Sequence, residues 1–370
     1  MKNDVNAFVG RVRAHELAWH RPGKLCGAHK SFTDPKRARP ALFHFLCPAH
    51  ILQYPSVGAL QDHSSARAFG GPMTSTAILL VLLSALIHTA WSLIAKRAPK
   101  TAPFYAVTIL LGLLFCSPIC LPHIARNPQI LAAWPLFTAS GVLLAVYYFL
   151  MYRTYRRADL SLAYPLLRIS PIFITVWAIL MLGERISPNA LVGIAATVVG
   201  CMILPQQSLR AVRDVFRISN YMDKTYLMAL IASLMTTGYV VIDKQAMARF
   251  NAGSDFRTAF DYVYLEMWVC CLGLALISLY HLDRESIRAL IRTSGVSIVI
   301  IAPMLIGAWV LILAALSLPG ERVAYVGAFR QVSVVLTVAG GVLLLKERFG
   351  RVRIFAALVI FAGLLLIGFG

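Results

Sequence analysis

Two arginines, an acid and a histidine stand where so apolar a chain should carry no charge. Arg168 lies about eight residues into an apolar run that opens near residue 160, and Arg330 lies about seven residues into one that opens near residue 323. Glu266 sits near the middle of a third run, and His88 is deep in a fourth. Charge inside a hydrocarbon-length segment is costly and rarely faces lipid, so a functional role is the default assignment. The arginines suit an anion, because a guanidinium offers a planar fork of donors to a carboxylate or phosphonate-like group. Glu266 and His88 can each carry a coupled proton, Glu266 as a titratable acid in a low-dielectric site. The bland alternatives are a structural Arg–Glu pair tying the seventh run to the fourth or ninth, and a helix–helix hydrogen bond for His88. Trp91, Tyr148, Tyr164 and Tyr239 are candidate substrate-binding rings, with Tyr147 and Tyr325 beside them. Aromatic residues also simply pack, or belt the membrane interfaces.

The arginines belong to a stretch that the chain contains twice. The first copy runs Ala163-Tyr164-Pro165-Leu166-Leu167-Arg168-Ile169-Ser170-Pro171 and closes with Leu182-Gly183-Glu184-Arg185. The second runs Ala324-Tyr325, then Phe329-Arg330-Gln331-Val332-Ser333, and closes with Leu345-Lys346-Glu347-Arg348. The match extends further. Ala90-Trp91 through Ala95-Lys96 aligns with Gly238-Tyr239 through Asp243-Lys244, and Tyr148 falls opposite Trp309. Glu184 and Glu347 lie at helix ends, where charge and cap interactions make a structural role the first expectation. Pro165 and Pro171 remove two backbone donors and predict a kink in the fourth helix. The second copy has no proline at the equivalent of Pro171, which predicts a straighter ninth helix.

The elements that hold these residues are membrane helices. The chain has 370 residues, 59% hydrophobic and 14% charged, with a mean hydropathy of +0.72. Runs of about 20 apolar residues match the ~30 Å hydrocarbon core, and long unbroken runs satisfy their own backbone hydrogen bonds there. The expected fold is an all-α membrane protein with ten transmembrane helices, over about 74–95, 102–122, 130–152, 160–182, 187–205, 224–247, 257–280, 295–318, 323–345 and 350–369. Five helices per repeat is an odd number, so the second repeat enters from the opposite face, giving two inverted five-helix repeats. The repeats span 73–206 and 224–370, joined by a linker at 207–223. In that linker Leu209, Val212 and Phe216 share one helical face and Arg210, Arg213 and Arg217 another. Arg284, Arg288 and Arg292 repeat the pattern. Both segments read as short amphipathic helices on an anionic leaflet, or as solvated basic loops. Gly193 and Gly200, with Ala356 and Gly363, recur at seven-residue spacing and permit close packing within the chain or in a homodimer.

The net charge of +19 does not indicate nucleic acid, because the basic residues fall in short loops between apolar helices without a nucleic-acid-binding motif. Most loop Lys and Arg follow the odd-numbered helices, which assigns those loops to the cytoplasm and both ends of the core to the outside. Residues 1–72 differ in kind: they hold ten Lys/Arg, six of the nine histidines and no long apolar run. They read as a basic disordered arm, and Met73, directly before the first helix, reads as an alternative start. The spacing Cys26…Cys47…His50 is a poor zinc pattern, and the other five of the seven cysteines behave as small apolar residues. No sequence pattern indicates a metal or cofactor. His-Glu-x-x-His, Gly-x-Ser-x-Gly and a phosphate-binding Gly-x-x-x-x-Gly-Lys-Ser/Thr loop are all missing, so neither an enzyme nor an ATP-driven pump is expected.

The His88…Trp91…Lys96 end of helix one, Tyr147-Tyr148, the two arginine stretches and their Glu-Arg ends resemble the drug/metabolite transporter superfamily in its ten-helix EamA-like branch. The resemblance covers about residues 73–370. It implies a secondary transporter of the cell (inner) membrane, often an exporter of metabolites or amino acids, working by alternating access on a small anionic or zwitterionic solute. A lipid-linked flippase and a permease associated with phosphonate utilisation are the alternative functions.

Overall fold

The computed structural model describes residues 72–95, 101–157, 160–206, 208–217, 221–250, 256–278, 284–345 and 350–369. The basic arm, Cys26, Cys47, Lys96 and Lys346-Glu347-Arg348 lie outside the described residues. The described chain is helical throughout. The first half contains α1 (Ser75–Ile94), α2 (Ala102–Arg126), a 3-10 turn at Pro128–Ala133 leading into α3 (Trp134–Arg157), α4 (Leu160–Leu167), α5 (Ser170–Leu182) and α6 (Pro188–Ile203). A short α7 (Leu209–Val215) lies between the halves. The second half contains α8 (Lys224–Arg249), α9 (Phe256–Ser278), α10 (Arg284–Ser317), α11 (Val323–Phe329), α12 (Val332–Leu345) and α13 (Arg351–Phe369).

Among the described residues nine helical segments are long and apolar enough to cross a membrane, counting α4–α5 and α11–α12 as one crossing each. The remaining apolar helix, α6, has 16 residues; at 1.5 Å per residue it spans ~24 Å. Its start is set by the Ser187 side chain, which accepts from the Ala190 amide, and by Pro188 in the first turn. Thr74, Thr101 and Asp223 cap α1, α2 and α8 in the same way. Gly183, at φ 64°, ends α5 in the left-handed conformation and lets the Glu184 amide reach back to the Ala178 carbonyl at 3.0 Å.

Packing exchanges the halves. The most extensive helix contacts are α6 with α13, α3 with α8, α10 with α1, α9 with α3, and α2 with both α9 and α10. Relating each helix of one repeat to its counterpart in the other maps α1–α10 onto α8–α3, and maps α2–α9 and α6–α13 onto themselves. That is the signature of a pseudo-two-fold axis between two repeats. Small residues set the closest approaches. A Cβ on Gly193 would lie 2.6 Å from the Gly363 carbonyl oxygen, and one on Gly363 2.6 Å from that of Gly193. The seven-residue stripe therefore works inside the chain, between α6 and α13.

Two sequence expectations are corrected. The expected ninth helix, α11–α12, is not straight: it breaks at Arg330-Gln331, as the fourth, α4–α5, breaks at Arg168-Ile169. In the fourth, the Arg168 amide turns to the Pro165 carbonyl at 2.9 Å. In the ninth, without a proline, the Gln331 amide turns to Ala328 at 3.0 Å, the Val334 amide to Gln331 at 2.9 Å, and the Ser333 hydroxyl donates to the Arg330 carbonyl at 3.0 Å. A serine competing for backbone groups achieves there what proline achieves in the first copy. The segment from Arg284 to Arg292 is likewise no separate surface helix; it is the first part of the 34-residue α10. The linker does form its short helix, α7, with Arg210 and Arg213 exposed and Val215 buried.

Candidate functional site

Both breaks open on one cavity. Arg168 and Arg330 line a space of about 280 Å³, together with residues from α1, α2, α3, α4, α8, α10 and α12. Breaking a helix exposes backbone and turns a side chain inward, and such irregular backbone is tolerated at membrane depth only beside protein or a cavity. The α1 wall carries Ser84, His88, Trp91 and Ser92, and the α3 wall Leu144, Tyr147, Tyr148, Met151 and Tyr155. Each set recurs in steps of three or four residues with one adjacent pair, so each occupies one helical face. Among the hydrogen bonds that hold α1 in place, Ser84 Oγ donates to the Ala308 carbonyl at 2.6 Å, and Thr89 Oγ1 to the Ser333 carbonyl at 3.2 Å. The second bond joins α1 to the break beside Arg330.

The rings form a continuous wall. Tyr105 lies 4.9 Å from Tyr148, Tyr148 5.4 Å from Tyr147, Tyr147 6.1 Å from Tyr239, and Tyr239 5.4 Å from Trp309, centroid to centroid. The arginines rest on this wall. The Arg168 guanidinium carbon is 5.1 Å from the Tyr164 ring centroid, and that of Arg330 is 4.6 Å from the Trp309 ring. Stacking on a ring face stabilises the cation and leaves its in-plane N–H groups available to an anion. Among the described residues no carboxylate lines the cavity, and neither arginine has an ion-pair partner. The indole N–H of Trp91, buried in the same wall, also lacks a partner among the described residues.

All six residues selected as substrate-binding from the sequence, Arg168, Arg330, Tyr164, Trp91, Tyr148 and Tyr239, line this cavity, and His88 does too. Glu266 does not. It is fully buried behind Trp309, whose indole N–H donates to Glu266 Oε2 at 3.0 Å. A structural Arg–Glu pair is therefore not formed. Tyr325 leaves the set as well: its hydroxyl meets the Ser187 amide at 3.1 Å, at the joint before α6. Glu184 has the structural role expected of it. Its carboxylate accepts from the Val323 amide at 2.8 Å and the Ala324 amide at 3.4 Å, capping α11 across the repeats. Burial raises this carboxyl above its usual range, and the two amides oppose that rise.

Sequence reasoning missed Tyr105, Tyr155 and Asp243. Tyr155 follows Leu144, Tyr147, Tyr148 and Met151 on one face, so the periodicity contained it. Asp243 aligns with Ala95 in the repeat, and a carboxylate replacing an alanine in an apolar helix was the available signal. It is fully buried, taking a hydrogen bond from Ser140 Oγ at 2.6 Å and one from the Tyr262 hydroxyl at 3.1 Å.

A two-repeat helical bundle of membrane-crossing segments, with a basic cavity between the halves at paired helix breaks, is the architecture of a membrane transporter. The chain belongs to the EamA-like transporter family, whose model matches residues 75–205 and again residues 223–369. Among the curated proteins no sequence matches. Solved structures do match; one, a crystal structure described simply as that of a protein, has a TM-score of 0.55 and 17% identity, covering 79% of this chain and 97% of that one. That likeness is one of fold.

Proposed function

We propose that this protein is a secondary active transporter of a small anionic or zwitterionic metabolite, held by Arg168 and Arg330 and exported across the cell (inner) membrane by alternating access. The observation that carries the reading is the pair of arginines, one from each inverted repeat, sharing a cavity that no described carboxylate lines. Two guanidinium groups in a low-dielectric space attract an anion far more strongly than they would in water. The volume of about 280 Å³ is near the lower end of small-molecule sites, ~300–1,000 Å³, and suits an amino-acid-sized solute better than a lipid. Tyr164, Tyr148, Tyr239 and Trp91 supply the walls, and Trp91 a free indole donor. His88, edge-on to Trp91 at 4.7 Å, completes the wall beside the solute. The export direction and the inner membrane rest on the family.

The test is transport by the full chain in proteoliposomes, across a panel of amino acids, phosphonates and cationic drugs. Transport of an anionic or zwitterionic member is expected, and Arg168→Gln or Arg330→Gln should reduce it by at least about 100-fold, the loss of a charge-assisted contact worth ~3 kcal/mol. Activity confined to cations, or unchanged anion transport in both well-folded variants, would overturn the proposal.

A further inference from the structure

Behind Trp309 lies a polar cluster that the cavity does not touch. Asp243 on α8 and Glu266 on α9 are both fully buried, and both reach the same hydroxyl. Ser140 Oγ on α3 is 2.6 Å from Asp243 Oδ1 and 2.9 Å from Glu266 Oε1. Gly141 permits this approach: a Cβ there would lie 2.6 Å from the Glu266 carbonyl oxygen. A serine hydroxyl has one proton and can donate to one carboxylate only. The other carboxyl stays within hydrogen-bond distance by donating its own proton to Oγ. Two bare carboxylates around one hydroxyl would repel in a medium that screens them poorly. Among the described residues neither acid has a cationic partner. Lys244, next to Asp243 in sequence, donates instead to the Leu316 and Glu321 carbonyls at 2.8 and 2.7 Å.

We propose that Asp243, Ser140 and Glu266 form a proton-binding site in which the two acids hold one proton in common, take up a second, and couple that uptake to anion binding at Arg330 through Trp309. The inference rests on the reading of the cavity as an anion site. The second step is a simple protonation: the remaining carboxylate plus a proton gives a carboxylic acid, with no other bond changed. The groups that face the pair are Ser140 from α3, Trp309 from α10, Arg330 beyond the indole ring, Tyr262 and Cys270 on α9, and Tyr239 on α8. Further out are Arg168 on another wall of the cavity and the His123–Asp261 pair, five residues along α9.

The sign of the coupling follows from charge. Trp309 bonds Glu266 through its N–H and carries Arg330 on its face. While the pair is anionic it partly neutralises Arg330. Once doubly protonated, it leaves the guanidinium uncompensated towards the cavity, and an anion binds more tightly. By linkage a bound anion favours the second proton equally. Proton and anion thus occupy the same state and cross together, so an anion leaves the cell with a proton and its own outward gradient drives the step.

Two measurements on the full chain in lipid separate this site from the cavity reading. Infrared difference spectra should show a buried carboxylic-acid band at neutral pH that is lost in Asp243→Asn and in Glu266→Gln. Ser140→Ala, which keeps both acids, should shift the pH at which that band grows. A band untouched by all three changes would overturn the shared proton. The second readout uses methanesulfonate, whose charge is constant over this range, as the binding probe. Its affinity should rise about tenfold between about pH 8 and about pH 6 in the native chain, and by less than about twofold in Glu266→Gln. Binding that ignores pH in both would overturn the coupling. With the carboxylic-acid band intact, an absence of methanesulfonate binding at any pH would overturn the anion site and leave the proton site standing.

Discussion

Trp309 is the residue on which the two proposed sites meet. Its ring is the platform for Arg330 and its N–H donates to Glu266 Oε2. Trp309→Phe separates those roles, since phenylalanine keeps a ring face and loses the donor. The Glu266 carboxylate would then lose one hydrogen bond in a buried site, about 1–3 kcal/mol. That loss falls on the charged form, so Glu266 should bind its proton at a higher pH. Transport should persist at about pH 6 and peak at a less acidic value than in the native chain, read from rate against pH in proteoliposomes. An unshifted profile would show that the indole N–H does not tune the acid. At this scale the arginines were legible in the sequence because charge in an apolar run is conspicuous. Glu266 was legible as buried but not as hidden behind Trp309, since a helix face is defined only once its neighbours are known. Asp243 was overlooked because it stands one residue from Lys244, where a charge pair at a helix exit is unremarkable.

Among the elements, the paired breaks and the crossing of α6 with α13 decide the geometry. The break at Arg168 could be read from its prolines. The one at Arg330 could not, because Ser333 and the neighbouring carbonyls produce it through bonds that no composition rule anticipates. The repeat itself was the better guide: two copies of a stretch with one arginine each break at that arginine. The α6–α13 crossing was legible as a stripe of small residues, but its partner was not, since the same stripe fits a contact between chains. With the Gly193 and Gly363 carbonyls in the way, Gly363→Leu has no room on the facing helix. Overpacking against a backbone should lower stability by about 1–3 kcal/mol. A fall in thermal midpoint and loss of a single size-exclusion peak in detergent are the expected readouts. Gly350→Leu, where an added Cβ meets no described atom within 4 Å, is the control and should leave both unchanged.

At the scale of the whole molecule, hydrogen bonds at one end of the bundle tie the two repeats together. Glu184, from the first half, caps α11 in the second. Lys244 closes on the Leu316 and Glu321 carbonyls, and the Glu321 side chain accepts from the Thr74 amide at 2.8 Å, at the start of α1. These groups sit after α5, in the last turns of α8, after α10 and before α1, the end that loop charge assigns to the outside. An alternating-access cycle must break this set to release solute there, and the bonds are few and partly exposed, so they hold a conformation rather than the fold. Replacing Glu184 with alanine and Lys244 with methionine removes a cap worth about 1 kcal/mol and the two carbonyl bonds of the ammonium. The expected result is a population shift of about tenfold towards the outward-open state. It is measured as faster labelling of Ser92→Cys, in the cavity wall, by a membrane-impermeant thiol reagent added from outside. The five described native cysteines are buried and give a low background for that measurement. Labelling from outside that is unchanged in the double variant would mean that this set of bonds does not close the cavity. Faster labelling from the inner side would instead invert the orientation drawn from the loops.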